Sequence, residues 1–208
     1  MTRRSSDGGG ASEKLRLAVS SAFENPVSVA SARPSRSRLV LQITGADRTE
    51  AVSGEVRYIV LPLKDLDDLW LGVVVELDET SGALELEALS VPVFFGLGSD
   101  KQKTPILRAE WARVDRSHAQ PHWHAFTSQA TVKWGPDEVI QFGEPKRHRM
   151  FLPTERLHLA MGNGWIAGNG ERQDLSVAQL RPWLSGLVSH IATELKYAQE
   201  RGLLRLGG

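Results

Sequence analysis

Three of the six histidines, His118, His122 and His124, fall within the stretch SHAQPHWHAF, residues 117–126. If residues 121–127 are extended, alternation puts His122 and His124 on one face of a strand with Phe126, and Trp123 and Ala125 on the other. Pro121 suits the start of such a strand, where its missing N–H costs least. Two imidazoles side by side can converge on one metal ion or one phosphate, and His118, in the preceding loop, can fold back over the same face. Neutral imidazole is a common zinc ligand, and a catalytic zinc takes three protein ligands and keeps a further position open. His118, His122 and His124 are therefore a candidate metal set, with a divalent metal, zinc or manganese, as the cofactor. Alternatively, one neutral and one protonated imidazole could serve as base and acid. A structural or binding role stays open beside both, because an HxH pair alone is a weak motif.

The residues upstream add a carboxylate. In LRAEWARVD, alternation places Arg108 and Glu110 on one face of a strand and Trp111 on the other. A hairpin through RSHAQP would bring Glu110 beside the histidines, to orient one or supply an oxygen ligand. His122, His124 and Glu110 are thus the candidate catalytic residues. Arg108, together with Arg147 and Arg149 of EPKRHRM, forms the candidate substrate-binding set, suited to an anion such as phosphate. Electrostatic stabilisation by such cations would matter as much as proton transfer.

Strands must carry these side chains. SRLVLQIT, EVRYIVLPL, LWLGVVVEL and GALELEALSVPVFF are rich in β-branched and aromatic residues and separated by polar turns, with DETSG as a hairpin loop. In ALELEAL, Leu84 and Leu86 take one face and Glu85 and Glu87 the other, as in an antiparallel sheet with one face in water. PILRAEWARV, PHWHAFTS, ATVKWG and EVIQFG continue the pattern, whereas NPVSVASARPSRS reads as an irregular connector. Leu15, Val19 and Phe23 predict a short helix over 11–23. Leu180, Leu184, Leu187, Ile191, Leu195 and Ala198 predict a long C-terminal helix, with Ser176 as N-cap and Pro182 in the first turn. The expected fold class is α+β: an antiparallel sheet with one face covered by the long C-terminal helix and the short N-terminal helix. Residues 1–10 are expected to be a disordered tail, and residues 11–208 a single α+β domain.

Composition narrows the function classes. The formal net charge is zero, which does not indicate a uniformly basic nucleic-acid binder. The charge is unevenly spread, with ten acidic and two basic residues over 50–90 and nine basic and five acidic residues over 101–150. The acidic run reads as the solvent side of strands. The absence of cysteine excludes disulfides, thiol nucleophiles and cysteine-ligated metals, and fits a cytoplasmic location. No apolar run approaches the roughly 18 residues of a membrane span, and no signal-type apolar region follows Arg3 and Arg4, so no membrane is expected. GNGWIAGNG, residues 162–170, follows an expected helix and leads into polar ERQDLS, so it reads as a surface loop rather than a phosphate loop. Trp111, Trp123, Trp134 and Trp183 are expected in the core.

QPHWHAF, with ATVKW behind it, resembles a set of mostly uncharacterised bacterial toxin-like and defence-associated proteins in which a strand reads Pro-His-aromatic-His. RAEW before it and RLHLAMGNGW after it resemble longer proteins carrying HAQPHWH. The resemblance spans about residues 105–200. It implies His118, His122 and His124 as functional positions in a bacterial toxin or phage-defence system acting on nucleic acid or a nucleotide. The alternative is a non-catalytic binding subunit of a multiprotein defence or toxin–antitoxin assembly. In that case the histidine strand would be an interface and the acidic face would meet a basic protein partner.

Overall fold

The computed structural model describes residues 6–53, 55–80, 83–98, 103–113, 121–125, 131–133, 139–141, 158–160, 175–200 and 204–205. It is an α+β structure: a curled antiparallel sheet with helices at the N- and C-terminal ends of the chain. Helix α1 spans Ser6–Val19 and α2 spans Leu180–Glu200. The strands of the main sheet are β1 (Ser28–Ala32), β2 (Arg38–Thr44), β3 (Thr49–Ser53), β4 (Val56–Pro62), β5 (Leu69–Gly72), β6 (Val74–Asp78), β7 (Glu85–Phe95), β8 (Thr104–Ala112), β9 (His122–Ala125) and β12 (His158–Ala160). Three further short strands, β10 (Thr131–Lys133), β11 (Val139–Gln141) and β13 (Leu204–Arg205), form a second sheet in the order β11-β10-β13.

The long strand β7 organises the main sheet. On one side it pairs with β6 and β5 in succession, and on the other with β8, which leads on to β9 and β12. β5 and β6 are two halves of one bent run broken at Val73. Beyond it the sheet divides, with β2 and β1 continuing from β6 and with β4 and β3 from β5. Gly72 fits the bend because a Cβ there would lie 3.2 Å from the Ile59 carbonyl and 3.3 Å from Pro92. Pro92, which has no N–H to donate, falls between the stretches of β7 that pair with β6 and with β5.

One face of this sheet packs on the helices. Leu41, Ile43, Val75, Leu77, Leu89, Val91, Ala109 and Trp111 meet Leu15 and Val19 of α1 and the expected stripe Leu180, Leu184, Leu187, Ile191 and Leu195 of α2. Hydrophobic burial on this scale is the main stabilising term. The Ser185 hydroxyl donates to the Ala18 carbonyl at 3.1 Å and ties α2 to α1. Trp111 and Trp183 are buried in this core and Trp123 packs against it, as expected, while Trp134 lies outside the described residues. The acidic run finds partners within the chain. Arg113 meets Asp78, Glu85 and Glu87, while Arg38 pairs with Glu76 and Arg33 with Glu79.

Several local expectations change. α1 begins at Ser6 rather than Ala11, taking in Gly8, Gly9 and Gly10. Gly8 lies against Leu39 of β2, with its Cβ position 3.5 Å from that side chain, so docking on the sheet outweighs poor helix propensity. The connector NPVSVASARPSRS contains β1, drawn into the sheet by pairing with β2. Ser176 is not the cap of α2. Its N–H and hydroxyl donate to the Gln179 side-chain oxygen, and the Gln179 carbonyl accepts the first helical bond, from Trp183. Pro182 does sit in the first turn of the helix. β12 replaces the helix expected before GNGWIAGNG, because pairing with β9 decides what local propensity leaves ambiguous. No helix among the described residues is long and apolar enough to cross a membrane.

Candidate metal centre

Three of the nominated residues meet on the sheet face turned away from the helices. Alternation along β8 sends Ala109 and Trp111 into the helix-covered core and leaves Arg108 and Glu110 on the other face. Alternation along β9 does the same with Trp123 against His122 and His124. The register pairs Glu110 with His122, Ala109 with Trp123 and Arg108 with His124. Ala109 is fully buried opposite Trp123, where its small side chain leaves room for the indole.

Directly opposed residues of an antiparallel pair have Cβ atoms about 4.5–5.5 Å apart, and long side chains also span the diagonal. Both reaches are used here. Glu110 Oε2 lies 3.8 Å from Nε2 of His122, its direct partner, and 2.7 Å from Nε2 of His124 on the diagonal. The two Nε2 atoms are 2.8 Å apart, with ring centroids at 4.6 Å and planes at 65°. One donor atom from each of Glu110, His122 and His124 lies within 4.8 Å of the others.

Both histidines are buried, at 3% and 8% exposure, and the Glu110 side chain keeps 25%, so the carboxylate forms the more open side. Arg108 Nε sits 2.8 Å from Glu110 Oε1. It thereby holds one carboxylate oxygen and leaves Oε2 toward the rings. Burial pushes the Glu110 carboxyl up, but the hydrogen bond from His124 and the charges of Arg108, His124 and His122 outweigh it and hold the group below its ordinary value.

A divalent cation fits this arrangement better than hydrogen bonds alone do. Nε2 of His124 offers one in-plane position, either a hydrogen or a lone pair. Two partners compete for that position at 2.7 and 2.8 Å. Without a cation, one N–H must be shared between them or two lone pairs must face each other. With a cation at the common focus, both ring lone pairs and Oε2 are used at once. Two imidazoles with one carboxylate are also a known catalytic zinc set, and the same donors suit other first-row divalent metals.

Sequence reasoning missed two neighbours on this face. Ser90 of β7 lies opposite Glu110, and its hydroxyl is 3.2 Å from the Tyr58 phenol. Tyr58 belongs to a small buried cluster with Ala51, Val60, Trp70 and Phe94, so the far half of the divided sheet reaches the row that carries the centre. The register shift between Glu76 and Leu77, where Glu87 of β7 is left over, puts Ser90 rather than Leu89 on this face. His118, Arg147 and Arg149 lie outside the described residues. Arg108, nominated to bind substrate, has its Nε against Glu110. His190 and Glu194, at 4.0 Å on the exposed side of α2, are a local i,i+4 pair remote from this chemistry.

No protein-family model, curated protein or solved structure matches the chain.

Proposed function

We propose that the protein is a divalent-metal protein in which Glu110, His122 and His124 hold the ion and Arg108 positions Glu110. The observation that carries this reading is the convergence of three donor atoms from two adjacent strands within 4.8 Å. Zinc is the ion expected to bind most tightly among zinc, iron and manganese, in keeping with the usual order for nitrogen and oxygen sites. Magnesium and calcium, which take oxygen ligands, suit this imidazole-rich set poorly.

A divalent ion in such a site polarises a substrate oxygen and makes a bound water acidic enough to act as a nucleophile. The chain's own residues do the rest. His122 and His124 present Nε2 from a backbone fixed by β8, Arg108 keeps Glu110 Oε1 occupied, and the buried setting limits competing water. A hydrolytic reaction at a phosphate ester of a nucleotide or nucleic acid, in a bacterial toxin or phage-defence system, is the proposed use of the centre. The Pro-His-aromatic-His resemblance supports that substrate class. The reading as a non-catalytic subunit whose acidic face meets a basic partner has less support, because Arg113, Arg38 and Arg33 already engage those carboxylates.

Metal analysis and zinc titration of purified protein test the proposal. Wild type is expected to take up one ion per chain, more weakly as the solution is acidified, because imidazole must lose its proton to ligate. His122→Ala combined with His124→Ala is expected to abolish uptake while circular dichroism shows the fold retained. Uptake equal to wild type in the double variant would end the proposal.

A further inference from the structure

β12 brings a fourth residue type with ligand chemistry to this face, at a position no motif reading nominated. It pairs antiparallel with β9 on the side away from β8, with His158 opposite His124, Leu159 opposite Trp123 and Ala160 opposite His122. Two rows therefore cross the sheet from β7 to β12. One reads Ser90, Glu110, His122, Ala160 and the other Pro92, Arg108, His124, His158. Directly opposed residues of an antiparallel pair share a sheet face. The first row ends on β12 in a residue with no donor atom, and the second ends in an imidazole.

We propose that His158 is a ligand of the same centre, which then comprises three imidazoles and one carboxylate drawn from three consecutive strands. The proposal rests on the metal reading above and extends it. It assigns the third imidazole to β12, displacing His118, which sequence spacing had nominated. It also changes what the ion can do. Four protein donors close a tetrahedral zinc site, whereas three leave a position open. With His158 bound, zinc would be held as a structural ion, and hydrolysis would require either an ion that accepts more than four ligands or release of one imidazole.

Pulsed EPR of the copper(II)-loaded full chain counts coordinated imidazoles and so tests this without needing a variant to fold. Wild type should give three, His158→Ala two and His118→Ala three. Zinc titration should find His158→Ala weaker by at least about tenfold, the lower bound for residues that merely support a ligand. Where His158→Ala fails to fold, His158→Asn and the wild-type count against the His118→Ala count decide the matter. Two imidazoles in wild type, or loss of the third with His118→Ala instead, would overturn the assignment while leaving the metal centre in place. A wild-type chain that binds neither copper nor zinc would remove the metal reading itself.

Discussion

Ala109 and Glu110 are adjacent in the chain, yet they serve opposite faces of one sheet with opposite physical demands. On the helix side, Ala109, Trp111 and Trp123 belong to or abut an apolar layer closed by α1 and α2. On the other side, Arg108, Glu110, His122 and His124 form a polar cluster in which both imidazoles are nonetheless buried. The first face supplies stability and rigidity. The second holds buried polar groups, which are costly unless each finds a partner. A sheet anchored firmly on one side can hold such a cluster to a fixed geometry on the other, so chemistry here is positioned by packing two or three ångströms behind it.

Substitutions on the two faces should therefore separate. Trp111→Ala, on the apolar face, is expected to cost about 3–5 kcal/mol, read as a lowered denaturant midpoint. A cost under about 1 kcal/mol would mean that the helix-covered face does not support the sheet. Arg108→Met, on the polar face, keeps the stem but removes the contact with Glu110 Oε1. Zinc affinity should fall by about 10–100-fold, as when a partner behind a ligand is lost, with the folded structure retained. Unchanged affinity would show that Glu110 needs no such support. Tyr58→Phe removes one hydroxyl contact with Ser90 and is expected to cost about 1 kcal/mol without changing metal affinity. A clear drop in affinity would move Tyr58 into the centre and enlarge the polar face.

The fold class was readable because long periodic elements dominate it. The spacing of Leu180, Leu184, Leu187, Ile191 and Leu195 marked the buried stripe of α2 directly, and all five are buried. Period-two alternation likewise put His122 and His124 on one face and Trp123 on the other. The meeting with Glu110 depended on a hairpin whose register no local pattern fixes, and the sequence could only offer it as an option. Register shifts explain why. One extra residue at Glu87 and another irregularity between Val93 and Phe94 re-aim everything downstream on β7. Ser90 opposite Glu110 is a product of that shift. Short strands were the least legible. β1 is made of small and polar residues between prolines, and β12 is written in residues that favour helix as readily as strand. Both exist because a neighbouring strand pairs with them. His158 was therefore visible as a residue but not as a neighbour of His124.

The central claim is that Glu110, His122 and His124 share one divalent ion. Anomalous diffraction from crystals of zinc-loaded protein, collected above and below the zinc edge, tests it most directly. The account predicts one strong peak about 2.0–2.2 Å from Nε2 of both histidines and from a Glu110 oxygen, in line with ordinary zinc bonds. A zinc-loaded crystal with no peak between these three residues, and the two Nε2 atoms still in contact with each other, would contradict it.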